Sequence, residues 1–412
     1  MKKNDINPVG ENDIEREEYS RKLIAAVPRV IHKLNNHVDI VLSEQNSYLA
    51  NLFMKLPIKR KNEIVQHPLF SYWWINLMRK FKDNDDFEEW YKYFPNFLFV
   101  PLIKEGIIPQ KKIRLVSEFG KIWLPGYSAN MNIGNISNNE VVISFQTGGF
   151  IIEDGPLIDY NKLISKELEI LSLHYVVKEK FEFDASHPWY CKLFDSINKR
   201  VDNPSFNPND LKPVLNLNDK KVQEISSACD LLKEIWEEMW NEIKSYVQVI
   251  VPYHSKISST FTDSAFIGAV FMGESKHPFS DEYFTAEHLL HESSHLRLTL
   301  VMGKDPLVKP KDETKRFNSP LRKDPRPLMG IIQGAYVFAR IAVFLIKGIE
   351  LGRLNDVRYI RRLREINPLL EDLLVTLEEG ADFTDRGKIL FDDMYFIVKQ
   401  TKVFLENQST EG

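Results

Sequence analysis

Two cysteines, Cys191 and Cys229, are all that this chain of 412 residues contains. That is too few for a disulfide framework, and no CxxC pair offers a zinc or redox site, so a reducing compartment is expected. An excess of charge of one sign is also missing. Lys and Arg number 54 against 58 Asp and Glu, a net charge of −4, which gives no electrostatic case for a nucleic-acid partner. Long apolar runs are scarce as well. The longest near the C-terminus, Gly334 to Ile346, is interrupted by Arg340 and falls short of the roughly 20 residues that cross a bilayer. The polar start of the chain, with Glu15 to Glu18 close behind it, lacks the apolar stretch of a signal peptide. A cytoplasmic protein with neither membrane nor nucleic-acid partners is therefore expected.

What the chain does have is 43% hydrophobic and 12% aromatic residues, enough to bury a sizeable core. Helical spacing runs from Glu11 to about Lys112, where Leu23, Ile24, Val27, Val30, Ile31 and Leu34 recur at three and four residues. The aromatic stretch from His67 to Val100 is expected to be helix-packing core, with a peptide groove as the alternative. From about Lys121 to Asp154, Gly, Asn and Pro punctuate short β-branched segments, as in Ile122-Trp123-Leu124 and Val141 to Phe145, which predict strands. Helical periodicity is read again over Tyr160 to Lys180. A Pro/Asn/Asp-rich loop from Asp202 to Asp219 then marks a junction. A single helix is predicted over Val222 to Val247, strands at Val249 to Tyr253 and Ala265 to Phe271, and three closing helices near Gly334 to Leu351, Ile360 to Leu377 and Gly387 to Leu405. The fold class is α+β, predominantly helical, with a central helix carrying a metal in the C-terminal domain and a small β-sheet. The expected division is a helical domain at 1–120, a small sheet plus helix at 121–200, and a metal-binding domain at 201–412.

Chemistry concentrates in one helical pattern, about Asp281 to Met302, preceded by Pro278 and Ser280. Within it Phe284, His288, His291, His295, Leu298 and Met302 form a seam, and Leu289, Leu290, Leu296 and Leu300 make the remaining surface apolar. His291 and His295 stand one turn apart, so two imidazoles can converge on one ion while Glu292 points about 100° away. With 10 histidines in the chain, an HExxH run is expected by chance about 0.02 times. His288 is either a further ligand, a supporting group, or a core histidine.

Zinc peptidases use HExxH with the Glu as general base. The extended form HExxHxxGxxH does not apply, because Leu298 and Val301 occupy the Gly and His positions. A more distant acidic ligand would have to be Glu313 or Glu350. After the helix, Phe317 to Gly330 carries Arg322 and Arg326 between prolines, a stiffened loop suited to clamping a carboxylate. Gln333-Gly334-Ala335-Tyr336-Val337-Phe338 is read as the start of the next helix. A competing iron signature, His37-Val38-Asp39, has the HxD form but lies in a strand-poor region.

Taken together, the run Glu287 to His295, the Ser319-Pro320 to Arg326-Pro327 segment and the Gln333 to Phe338 segment resemble the HExxH-type α-ketoglutarate-dependent peptide β-hydroxylases, over roughly Tyr253 to Met394. The resemblance implies Fe(II), α-ketoglutarate (2-oxoglutarate) and O₂, acting on a ribosomally made precursor peptide. It implies His291 and His295 as iron ligands, Arg322 or Arg326 as partner of the co-substrate's distal carboxylate, and Glu292 as third ligand or supporting group. Where that family often has His, this chain has Gln333, which leaves the third ligand open. Two His and one oxygen donor suit non-haem iron. The alternatives are a Zn(II)-dependent metallopeptidase and a metal-free protein that binds a peptide through its aromatic N-terminal half.

Overall fold

The computed structural model describes residues 6–8, 13–134, 139–178, 180–200, 211–215, 218–255, 260–273, 281–311, 314–320 and 322–410. Pro278, Ser280, Glu313 and most of the Asp202 to Asp219 loop lie outside the described residues. The architecture is α+β and predominantly helical.

The N-terminal half opens with α1 (Ile14–Leu34), α2 (Ile40–Lys55), α3 (Ile58–Val65), α4 (Pro68–Lys82), α5 (Glu88–Tyr91) and α6 (Phe94–Lys104). Asp13 starts α1 by accepting from the Glu15 N–H at 2.8 Å, and acidic Glu15 and Glu17 lie at the positive end of the helix dipole. Of the predicted seam, Leu23, Ile24, Val27, Ile31 and Leu34 are buried and Val30 is half-buried. The aromatic stretch packs into the same core: Trp73 lies 5.8 Å from Phe94 in a stacked pair and 5.3 Å from Phe97.

Seven antiparallel strands follow: β1 (Ile113–Glu118), β2 (Lys121–Leu124), β3 (Ala129–Asn132), β4 (Glu140–Gln146), β5 (Gly149–Ile152), β6 (Leu157–Asp159) and, after the short α7 (Tyr160–Ile164), β7 (Leu171–Leu173). Their order is β6-β5-β4-β1-β2-β3-β7. The β1–β2 hairpin turns on Phe119 and Gly120, both at positive φ, as a two-residue turn with the strands' own twist requires. The sheet thus begins at Ile113, upstream of the expected boundary at 121. The helix expected over Tyr160 to Lys180 survives only as α7. Beyond it Leu171, Ser172 and Leu173 pair with Met131, Asn130 and Ala129, so a sheet ladder overrides the local helical spacing.

The second sheet has the order β12-β13-β11-β9-β8, with β10 (Lys212–Pro213) also on β11. It is drawn from both sides of the expected boundary at 200: β8 (Tyr175–Val177) and β9 (Phe181–Phe183) come before α8 (Pro188–Arg200), and β11 (Val249–His254), β12 (Thr260–Phe261) and β13 (Ala269–Gly273) after it. Alternation along its central strands divides two cores. Val249, Val251, Tyr253, Ala269 and Phe271 face the N-terminal helices and first sheet, whereas Ile250, Val270 and Met272 face the C-terminal helices. The helix read over Val222 to Val247 is two, α9 (Asp219–Ile235) and α10 (Glu237–Tyr246), because Trp236 leaves the helical region at φ −153° and ψ 81° and is buried there.

On the C-terminal face lie α11 (Glu282–Met302), α12 (Leu328–Glu350), α13 (Val357–Gly380) and α14 (Asp385–Thr410). Two small ribbons accompany them, β14 (Val308–Pro310) with β17 (Ala381–Phe383), and β15 (Phe317–Ser319) with β16 (Arg322–Arg326). The latter replaces the expected proline-stiffened loop by a hairpin, Phe317 opposite Arg326, in which Pro325 is tolerated because a two-stranded ribbon has only edges. α12 is long and apolar enough to reach across a bilayer, yet two thirds of that stretch is buried inside the protein, and Arg340 in its middle is fully enclosed.

Candidate metal centre

α11 is fixed at its start by Asp281, whose carboxylate accepts from the N–H groups of Tyr283 at 2.8 Å and Phe284 at 3.3 Å. Most of its circumference is buried, with Leu289, Leu290, Leu296, Leu298 and Val301 in the C-terminal core. The half-open positions from Phe284 on form one stripe, Phe284, His288, His291, His295, Thr299 and Met302. The polar groups on the closed side are held by ion pairs. Glu242 of α10 accepts from Arg340 at 2.6 Å and lies 3.3 Å from Arg297, and Arg340 also donates to the Ser294 hydroxyl at 3.0 Å. Arg297 reaches Tyr336 of α12 at 3.0 Å. This network sets the rotation of α11, and hence the direction of its histidine stripe.

The imidazoles of His291 and His295 approach with their Nε2 atoms 3.2 Å apart. An ion about 2.1 Å from each, an ordinary metal–imidazole distance, would subtend an N–metal–N angle of about 100°, between the tetrahedral and octahedral values. Burial, together with the neighbouring His295, His288 and Arg362, holds His291 well below the usual histidine range, and burial lowers His295 to about 4. Both rings are neutral at pH 7 and have lone pairs to offer.

Glu292 is buried and its Oε1 accepts from the Thr260 hydroxyl at 2.7 Å. Burial raises its carboxyl to about 7, against the lowering effect of the Thr260 and Thr262 hydroxyls. Its Oε2 has no hydrogen-bond partner among the described residues. With the Thr260 proton given to Glu292, the same hydroxyl accepts from His288 Nδ1 at 3.1 Å. His288 is thereby tied to the strand wall.

His291, Glu292, His295 and Thr260 line a cavity of about 690 Å³. One wall is β12 and the following turn, with Thr260, Thr262, Asp263 and Ser264; the other is the β15–β16 hairpin and the first turns of α12, with Ser319, Arg326, Gly330 and Gln333. Of the residues singled out from sequence, the fold brings His291, Glu292, His295, Arg326 and Gln333 to this one space. Arg322 lies at the start of β16, its side chain outside what the structure describes. Gln333 sits in the second turn of α12 rather than at its start, because the helix begins at Leu328. Glu350 closes the same helix 17 positions further on, about 25 Å along the axis. His37 and Asp39 form no metal site: the Asp39 carboxylate caps α2 by accepting from Val41 at 2.8 Å, and the His37 ring packs on Phe81 at 5.5 Å.

Thr260, Thr262, Asp263 and Ser264 were not singled out from the sequence. Small hydroxyl residues in a short strand and turn carry no periodic signal, and only the pairing of β12 with β13 brings them over α11. No protein-family model matches the chain, and no curated protein matches it.

Proposed function

We propose that the chain is a non-haem Fe(II)- and 2-oxoglutarate-dependent oxygenase that hydroxylates a side chain of a ribosomally synthesised peptide in the cytoplasm. The observation that carries this reading is the pair of neutral imidazoles, Nε2 atoms 3.2 Å apart, opening into a polar cavity that Arg326 also lines. His291 and His295 would hold the metal, with Gln333 as the oxygen donor from the facing helix. Bound Fe(II) would supply the open coordination positions at which a 2-oxo acid and O₂ react to give succinate, CO₂ and a hydroxylated product.

The chain's own residues would divide the remaining work. Arg326 offers a fork of donors to the distal carboxylate of the co-substrate, oriented by the hairpin that carries it. Glu292, with a carboxyl near neutrality, can accept or release a proton at its free Oε2. The hydroxyls of Thr262, Ser264, Thr299 and Ser319 line the rest of the cavity and suit a polar peptide backbone.

A second reading, a Zn(II)-dependent peptidase, draws on Glu292, since a buried carboxylate beside two imidazoles suits a general base. One experiment separates them. Anaerobically Fe(II)-loaded protein is given 2-oxoglutarate and O₂, and succinate is followed; in parallel, Zn(II)-loaded protein is given a generic peptide. Succinate release that disappears in His291→Ala and His295→Ala supports the oxygenase. Zn(II)-dependent cleavage supports the peptidase, and failure to bind either metal supports a non-catalytic peptide-binding protein.

A further inference from the structure

A second group of ligating side chains lies far from α11 in sequence, where the two sheets meet. His174 is the single residue between β7 of the seven-stranded sheet and β8 of the six-stranded one. Its Nδ1 lies 2.5 Å from Glu182 Oε1 on β9, and its Nε2 lies 2.9 Å from the Asn130 amide on β3. Asp184 follows directly after β9, and one ligand atom each from His174, Glu182 and Asp184 falls within 4.8 Å of the others. Glu182 and Asp184 are 8% and 6% exposed.

Each of these groups is held from behind. Asp184 Oδ1 accepts from the Ser186 N–H at 2.8 Å and from its hydroxyl at 2.5 Å, and Glu182 Oε2 accepts from the Ser128 hydroxyl at 3.2 Å. His67, 5% exposed, accepts from Leu69 N–H through Nδ1 at 3.3 Å. Its proton therefore sits on Nε2, which points at Glu182 Oε2 from 3.8 Å without a hydrogen bond. The buried Trp123 Nε1 and Tyr190 hydroxyl are also without partners among the described residues, and the His187 ring lies 4.9 Å from that of Trp123 and 6.1 Å from that of Tyr190.

Two carboxylates are withdrawn from water, and among the described residues neither forms an ion pair with a lysine or arginine. One imidazolium at His174 answers Glu182 and leaves Asp184 with the Ser186 hydrogen bonds but no facing cation. A divalent cation balances both. Oriented carboxylates and an imidazole whose other nitrogen is hydrogen-bonded are the supports that a metal site needs.

We infer that His174, Glu182 and Asp184 are the protein ligands of a second, structural divalent transition-metal ion, which pins the seven-stranded sheet to the six-stranded one. His174 then binds through Nδ1; its proton moves to Nε2, and the Asn130 amide turns its oxygen to receive it. Zn(II) is a sound probe, because a nitrogen and oxygen site of this kind binds it more tightly than Mn(II) or Fe(II).

The test is Zn(II) content by mass spectrometry after equilibrium dialysis, with circular dichroism to confirm folding. The wild-type chain is expected to bind two equivalents, His291→Ala/His295→Ala one, Glu182→Gln/Asp184→Asn one, and the combination none. Zn(II) should raise the melting temperature of His291→Ala/His295→Ala relative to EDTA. A folded His291→Ala/His295→Ala protein that binds no Zn(II), or a folded Glu182→Gln/Asp184→Asn protein that keeps both equivalents, would overturn the inference. Should Glu182→Gln/Asp184→Asn not fold, the metal content and Zn(II)-dependent melting of His291→Ala/His295→Ala decide alone.

Discussion

The Thr260 hydroxyl donates to the Glu292 carboxylate at 2.7 Å and so ties strand β12 to the middle of the histidine-bearing helix. That bond favours the charged form of a buried acid. Thr260→Val removes it while keeping the shape, and the Glu292 carboxyl should rise above its value of about 7 by about one pH unit, or ~1.4 kcal/mol. Infrared or NMR titration of the carboxyl would measure the shift, and an unmoved midpoint would show that the hydroxyl does not act on Glu292.

Loss of either imidazole should abolish metal binding at α11. His291→Ala and His295→Ala are each expected to lower Fe(II)-dependent succinate release at least a hundredfold while the far-ultraviolet circular dichroism is kept, since the cavity side of the helix is not its packing side.

Arg326→Ala should raise the 2-oxoglutarate requirement about ten- to a hundredfold, the loss expected for charge-assisted hydrogen bonds worth ~1.5–3 kcal/mol. The maximal rate should change less than the half-saturating concentration. Equal requirements in wild type and variant would remove Arg326 from the clamp.

Stability against pH tests two opposed linkages in the metal-free protein. The Glu292 carboxyl is raised from 4.5 to about 7, so the fold holds a proton that the unfolded chain releases, and stability increases as pH falls from 7 to 4.5. His295 is lowered from 6.5 to about 4, so the unfolded chain takes up the proton first and stability falls over 6.5 to 4. His291, also held well below the usual histidine range, acts in the same direction as His295, so the two histidines outweigh Glu292 and the wild type loses stability as the pH falls. Glu292→Gln leaves the two histidines unopposed, so its melting temperature should drop from pH 7 to pH 5 more steeply than that of the wild type.

Opening the buried ion network should be costly. Glu242→Gln leaves Arg297 and Arg340 short of a counter-charge in a fully buried setting, with an expected loss of ~3–5 kcal/mol by urea unfolding. Metal affinity at His291 and His295 should weaken with it, because the same arginines set the rotation of α11.

The helix that carries the site was legible in the sequence because local chemistry and tertiary burial agree there: Asp281 caps it, and buried residues, most of them apolar, fill every side but one. The cavity's far wall was not legible. Thr260 and Asp263 reach α11 only through the register of β12 on β13, a pairing between segments whose local pattern says nothing of it. Leu171 to Leu173 shows the opposite conflict, a helical spacing drawn into a strand by three partners on β3. His174, Glu182 and Asp184 escaped notice for a related reason, since they share no spacing motif and meet only where two sheets join.

Because the six-stranded sheet is upholstered on both sides, neither half of this protein is a detachable module. A shortened chain starting near Asp219 would forfeit β8 and β9, and with them the covering over Val251, Tyr253 and Phe271. Those side chains would meet water beside a freshly unpaired strand edge, so aggregation rather than an active fragment is the outcome to expect from truncation.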